Sequence, residues 1–365
     1  MAASRKVLSL GRQQGAPGFF FKSRRKHELF SSIIARNFKQ SGNEMNRRGT
    51  YFCVAAVLTV LSLGLFGAWD ANAQSRADTP ISGHYPGGHT GILAGATPPE
   101  GLGFFTFTKL SDPGNLKDAQ GNTIGATNKT TVAQISGIAW HTDYKIAGMT
   151  WGGLLAVPFN DDFNRPTGQS GSSSGFGLGD IVFVPLAFYG ISPHFDYQIG
   201  AGVWAPSGSF TPGSKNNHGS GFWEAIYTLG GAYYPDGNRK SFNLSAVLRI
   251  EQNFTQRHTD IHVGDNVVMD WGIGSPLLPL DETHKHIVRV GVTGFAATQF
   301  TRETGSNAAL NTSFYRVFAI GPEFNYFYPD WKLKFLFRPQ WEFDARNTTE
   351  GMTYWFAISH SFGHI

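Results

Sequence analysis

From Trp331 to Ala345 the chain reads WKLKFLFRPQWEFDA, with a large apolar residue at almost every second position. One set is Trp331, Leu333, Phe335, Phe337, Pro339, Trp341 and Phe343, and the interleaved set is Lys332, Lys334, Leu336, Arg338, Gln340, Glu342 and Asp344. On a helix the two sets would mix around the cylinder, whereas on a strand they separate onto an oily and a charged face. The same period of two recurs in SFNLSAVLRIEQNF. There Phe242, Leu244, Ala246, Leu248 and Ile250 oppose Asn243, Ser245, Val247, Arg249 and Glu251. In MTYWFAISHSF, Met352, Tyr354, Phe356, Ile358 and Phe362 oppose Thr353, Ala357, Ser359 and Ser361.

Such runs predict about twelve strands, at 101–110, 131–142, 144–157, 176–189, 194–206, 220–234, 240–254, 265–274, 285–300, 312–328, 331–345 and 351–362. Their connections alternate in length. SDPGNLKDAQGNTIGATNKT, DDFNRPTGQSGSSSG and SGSFTPGSKNNHG are long, whereas HTDY, GISPH, PDGNRK and YPDW are short. SPLLPLDETHK is longer than a short turn should be. An even strand number with one long-looped and one short-turned rim is the pattern of an all-β, antiparallel, up-and-down transmembrane β-barrel of an outer membrane. A soluble sandwich would carry more surface charge than the 15% found here beside 14% aromatic residues and 45 glycines. Aromatic residues near strand ends, among them Trp204, Tyr234, Tyr328, Trp331, Trp341 and Trp355, are expected in the interfacial girdles of such a barrel.

The formal charge of +4 on 365 residues at first suggests an anionic partner such as nucleic acid. That inference fails once the leader is read. Met45 to Ala73 has basic Arg47 and Arg48, an apolar run and the Ala71-Asn72-Ala73 site of a secretory signal peptide cleaved before Gln74. Residues 1–44 show no folded pattern and are expected to be an upstream extension outside the native protein. The 11 basic and 3 acidic residues up to Ala73 leave 19 basic and 23 acidic on the remaining 292. Cys53 lies in the leader, so the exported chain forms no disulfide and needs another source of stability, which a closed hydrogen-bonded barrel supplies. Residues 74–100, rich in Gly and Pro, are expected as an irregular periplasmic lead-in, and 101–365 as the barrel.

The strand GFGLGDIVFVPLAFYG (Gly175–Gly190), the lead-in GHYPGGHTGILAGATPPEGLGFF and the later GDNVVMDWGIG resemble the outer-membrane transporter family of the MetA pathway of phenol degradation. The resemblance runs from about Gly83 to Phe362. It implies an outer-membrane barrel that passes small hydrophobic or aromatic compounds, and it brings no set of functional residues with it.

The glycines of GFGLGD precede a strand containing Pro185, not the helix N-terminus that a phosphate-cradling loop requires. His284 and His286 lie two apart but lack the further ligands of a structural metal site. His360 neighbours Ser359 and Ser361, yet adjacent strand residues point to opposite faces and cannot form a nucleophile and base pair. No cofactor, metal or catalytic residue is therefore expected. The candidate lumen-lining residues are Arg249, Glu251, Arg289, Lys332, Lys334, Arg338, Glu342 and Asp344, on the polar faces of late strands. The expected partners are outer-membrane lipid, the barrel-assembly machinery and small hydrophobic or aromatic solutes. The function expected is passive uptake of those solutes. A plugged structural or adhesive barrel and an outer-membrane lipid hydrolase are the competing readings.

Overall fold

The computed structural model describes residues 80–127, 129–164, 172–173, 175–214, 216–277, 286–306 and 314–363. All of them belong to one compact unit, Ala71–Ile365. The expected extension and signal peptide lie outside the described residues, as do His284 and most of SPLLPLDETHK.

Twelve strands build the wall: β1 (Gly101–Lys117), β2 (Lys129–Ile146), β3 (Met149–Asn164), β4 (Ile181–Ile191), β5 (Phe195–Ala205), β6 (Glu224–Tyr233), β7 (Asn243–Asn253), β8 (Asn266–Pro276), β9 (Ile287–Gln299), β10 (Arg316–Tyr328), β11 (Leu333–Arg346) and β12 (Thr349–Ser361). Each pairs antiparallel with the next. The last returns to the first, from Gly103 opposite Ser361 to Leu116 opposite Thr349, so the sheet closes and leaves no edge. Short additional ladders at Thr123–Ala126, Ser172–Ser173 and Gly177–Leu178 pair with β1 and β3 on the long-loop side.

The alternation read from sequence sets which side faces out. Phe335, Phe337, Trp341 and Phe343 are 39–48% exposed on the outside, while Leu336, Arg338 and Gln340 are buried within. Leu244 and Ile250 point out and Asn243, Ser245, Val247 and Glu251 point in. An apolar exterior around a closed barrel is what a bilayer stabilises, since closure leaves no strand edge facing lipid. The inner apolar residues form separate clusters. One joins Ile135, Ala156, Val182, Trp204 and Ile226, and another joins Val268, Phe295, Ala297, Tyr315 and Ala319.

Four expectations change. Trp204, Tyr234 and Trp355 are buried inside the barrel and do not belong to an interfacial girdle. Trp204 and Trp355 stand at inner-face positions of β5 and β12, and Tyr234, just after β6, directs its hydroxyl to Asp196. HTDY is not a turn: β2 runs on to Ile146, with a register irregularity between His141 and Lys145. The reversal instead falls at Ala147-Gly148, whose φ values of 51° and 85° suit the right-handed twist of the two strands it joins. On the long-loop rim the β11–β12 connection is as tight, at residues 347–348. Finally, the lead-in does not stay on the periplasmic side, because residues 80–98 occupy the lumen.

Ala147 sits in a left-handed conformation that costs a side-chain-bearing residue about 1 kcal/mol. Ala147→Gly is therefore expected to raise the midpoint of thermal unfolding, read by heat-modifiable gel migration, by a few degrees at most.

Candidate functional site

A backbone without helix or strand partners, threaded through a water-poor barrel, presents donors and acceptors that must be satisfied by side chains. Residues 80–98 are such a segment, whose own backbone bonds are local turns such as His89 N–H to the Pro86 carbonyl and Ala94 N–H to the Gly91 carbonyl. The wall answers with carboxylates aimed inward. Glu224 accepts the His84 N–H at 2.7 Å, and Glu251 accepts that of Tyr85 at 2.6 Å. Asp270 accepts the N–H groups of Gly88 and Thr90 and both the Tyr85 and Thr90 hydroxyls, at 2.5–3.0 Å. Glu323 takes Ile92 N–H at 3.1 Å and Asp196 takes Thr97 N–H at 3.0 Å.

The segment's carbonyls are met by donors in the same way. Asn243 donates to Ile92, Ser245 to Gly91 and Ile92, Gln198 to Ala94, and Arg338 to Gly88. These contacts order the segment along the barrel. Ile81 meets Glu303 of a long loop, and Pro98 meets His141 near the short-turn end of β2. The chain thus descends from the long-loop rim to the start of β1. Glycine is required where it touches the wall: a Cβ on Gly95 would strike the Gly231 backbone, and one on Gly91 would strike the Glu323 carboxylate.

Near the long-loop rim, the His84 ring bridges Asp180 at 2.9 Å and Glu224 at 2.8 Å. Asp180 also accepts the N–H groups of Gly208 and Ser220. Burial opposes ionisation of Asp180, but His84 and these backbone donors outweigh it and hold the carboxyl below its usual 3.8. Deeper in the lumen, rings surround the segment. His89 packs on Phe107 at 4.3 Å and on Trp355 at 5.4 Å, while Tyr85 lies 5.8 Å from His89 and under the Arg249 guanidinium at 4.2 Å.

Six of the eight residues named from sequence fall on the inner face. Arg249 pairs with Asp270 at 3.6 Å, and Glu251 holds Tyr85. Arg289 donates to the Ser241 carbonyl and to Asn243. Arg338 pairs with Glu323 at 2.7 Å. Lys334 shares the inner face of β11 with Leu336 and Arg338, and Glu342 accepts Gly351 N–H at 2.9 Å. The other two are not in the lumen. Lys332 caps the 3₁₀ turn Pro329–Trp331 with φ 49° and donates to the Gly363 carbonyl at the short-turn rim. Asp344 has φ 50°, which breaks the alternation of β11, so it is exposed and paired with Arg316 at 2.6 Å. The sequence reading missed Asp196, Asp270 and Glu323. Each lies on the polar parity of its own strand, so the signal was present, but a single carboxylate among apolar neighbours drew less weight than a run of charges. No periodicity marks His84, Tyr85 or His89.

The family model described as the MetA-pathway of phenol degradation matches residues 114–358. The chain belongs to that family. Among solved structures, the COG4313 outer membrane channel from Pseudomonas putida F1 is 11% identical, with a TM-score of 0.60 over 77% of this chain and 100% of that one. The beta domain of the Bordetella autotransporter BrkA is 10% identical, with a TM-score of 0.43 over 72% of this chain and 100% of that one. No curated protein sequence matches. This family member is a barrel of the bacterial outer membrane with the fold of an outer-membrane channel.

Arg338→Ala would leave Glu323 charged and buried without its cation, a loss expected to cost about 3–5 kcal/mol in urea unfolding. Acid is expected to loosen the His84 clasp. Because the Asp180 pKa is lowered on folding, its stabilisation is complete above pH 3.8 and disappears as pH falls through the lower folded value. Deuterium exchange at the His84 amide, followed from pH 6 down to pH 3, checks this.

Proposed function

We propose that the barrel takes up small hydrophobic or aromatic compounds passively, along a path beside its lumen segment. The observation that supports this most directly is the ring cluster of Tyr85, His89, Phe107 and Trp355 inside the wall. Flat apolar solutes gain from offset and edge-to-face ring contacts, whereas a lumen serving ions alone has no use for them. The charged wall then serves to hold the segment. Arg249, Glu251, Arg338, Asp270 and Glu323 bind one another or its backbone, which leaves the half-buried rings of Tyr85, His89 and Phe107, backed by Trp355, for a solute to meet.

A scaffold with a permanently filled lumen is the second reading, favoured by the number of bonds holding residues 84–97. The hydrolase reading has no comparable support, since Ile358 points outward and His360 shares its parity, while Ser359 and Ser361 take the other.

Planar-bilayer conductance of residues 74–365, with and without phenol, separates the two. Asp270→Ala removes the acceptor for two backbone N–H groups and two hydroxyls of the segment. It is expected to raise conductance several-fold over the parent, with phenol reducing the current in both. Absence of both conductance and phenol flux in the parent and the variant would mark the lumen as a plug.

A further inference from the structure

Where β6 begins, β7 ends and β8 begins, on the long-loop side of the lumen, the side chains of Glu224, Glu251, Asn253 and Asn266 are all fully buried. Glu224 stands directly opposite Asn253 across the β6–β7 ladder, and Glu251 stands directly opposite Asn266 across β7–β8. Glu251 and Asn253 are two residues apart on β7, so all four share one patch of the inner face.

Each glutamate uses one oxygen on the lumen segment. Glu224 accepts the His84 N–H through Oε2, and Glu251 accepts that of Tyr85 through Oε1. Their other oxygens, Glu224 Oε1 and Glu251 Oε2, have no donor among the described residues, although the two carboxyls lie within hydrogen-bonding reach of each other. The asparagines repeat the pattern. Asn253 donates through Nδ2 to the Gly264 carbonyl at 2.7 Å, which fixes the amide and leaves its Oδ1 unmet. Neither polar atom of Asn266 is bonded, so its amide has an unmet oxygen in either orientation.

A buried carboxylate oxygen without a donor is costly, and two such groups side by side repel. The neighbouring cations are committed elsewhere: Arg249 pairs with Asp270 at 3.6 Å, and His84 is shared between Glu224 and Asp180. A proton shared by the glutamates would join their two free oxygens and leave both amides unmet. A cation meets all four side chains at once. We propose that Glu224, Glu251, Asn253 and Asn266 bind a divalent cation, Ca²⁺ in preference to Mg²⁺ or a transition metal. Carboxylate and amide oxygens suit a hard cation, and Ca²⁺ tolerates the irregular geometry that side chains from three strands present, whereas Mg²⁺ demands a near-ideal octahedron. Bound there, it joins β6, β7 and β8 behind the His84 and Tyr85 amides and anchors the segment where it enters the lumen. The site does not depend on the solute-uptake reading.

The test uses the full chain refolded in detergent without lipopolysaccharide and stripped with EGTA. Equilibrium dialysis against radiolabelled Ca²⁺ measures binding, with Mg²⁺ as competitor, and heat-modifiable gel migration measures stability. The expected result is one Ca²⁺ per chain, retained in excess Mg²⁺, with a thermal midpoint that rises when Ca²⁺ is added. Glu251→Gln keeps an acceptor for the Tyr85 N–H but removes one of the two ligand charges, and is expected to weaken binding by about ten-fold or more. Asn266→Ala covers misfolding, because Asn266 has no side-chain hydrogen bond to lose. It is expected to weaken Ca²⁺ binding several-fold and to leave the Ca²⁺-free midpoint unchanged. Asp330→Asn, exposed at the short-turn rim, is expected to bind as the parent does. A parent that binds no Ca²⁺, or binding that neither Glu251→Gln nor Asn266→Ala weakens, overturns the site. In the first case, a Glu251→Gln variant that melts above the parent would assign the two glutamates a shared proton instead.

Discussion

The structure depends on one constraint: a backbone segment without secondary structure cannot enter a barrel unless its peptide groups find partners there. Here the partners are carboxylates on the wall, each accepting one or more N–H groups. A hydrogen bond to a charged acceptor contributes about 1.5–3 kcal/mol, against about 1 kcal/mol for a neutral pair, and its loss leaves a buried charge unmet. This accounts for the acidic character of a wall that meets only backbone and a few side chains. Asp270 carries the largest share, with four donors from three residues of the segment. The arginines have a related role, since Arg249 and Arg338 neutralise carboxylates that would otherwise repel one another across a narrow interior.

The same constraint shapes the composition of the segment. Glycine is needed where the path runs against the wall, as at Gly91 and Gly95, and the turn at Gly88 requires a positive φ of 81°. Between these glycines, Tyr85, His89 and Ile92 provide the apolar surface that ties the segment to the inner clusters. Where the segment does not present peptide groups it presents rings to the inner face of the wall.

The wall itself is not uniform. Several ladders are interrupted, and where β10–β11 lapses between Ile320 and Phe324 the buried Glu323–Arg338 pair joins the two strands and also holds the segment. Lumen filling and wall integrity are therefore linked at Glu323 and Arg338.

Sequence alone determined the barrel, because alternation is a local property: successive strand residues face opposite ways whatever surrounds them. It also determined which of Arg249, Glu251, Arg289, Lys334, Arg338 and Glu342 face inward. Prediction from alternation failed at Lys332 and Asp344, where a positive φ interrupts the strand geometry on which the reading relies. What only the tertiary structure decided is the fate of residues 80–98. A Gly-rich stretch has no period to show where it lies. Its place is set by acceptors such as Asp196, Asp270 and Glu323, roughly 100 to 230 residues further along the chain, which come together only when the barrel closes.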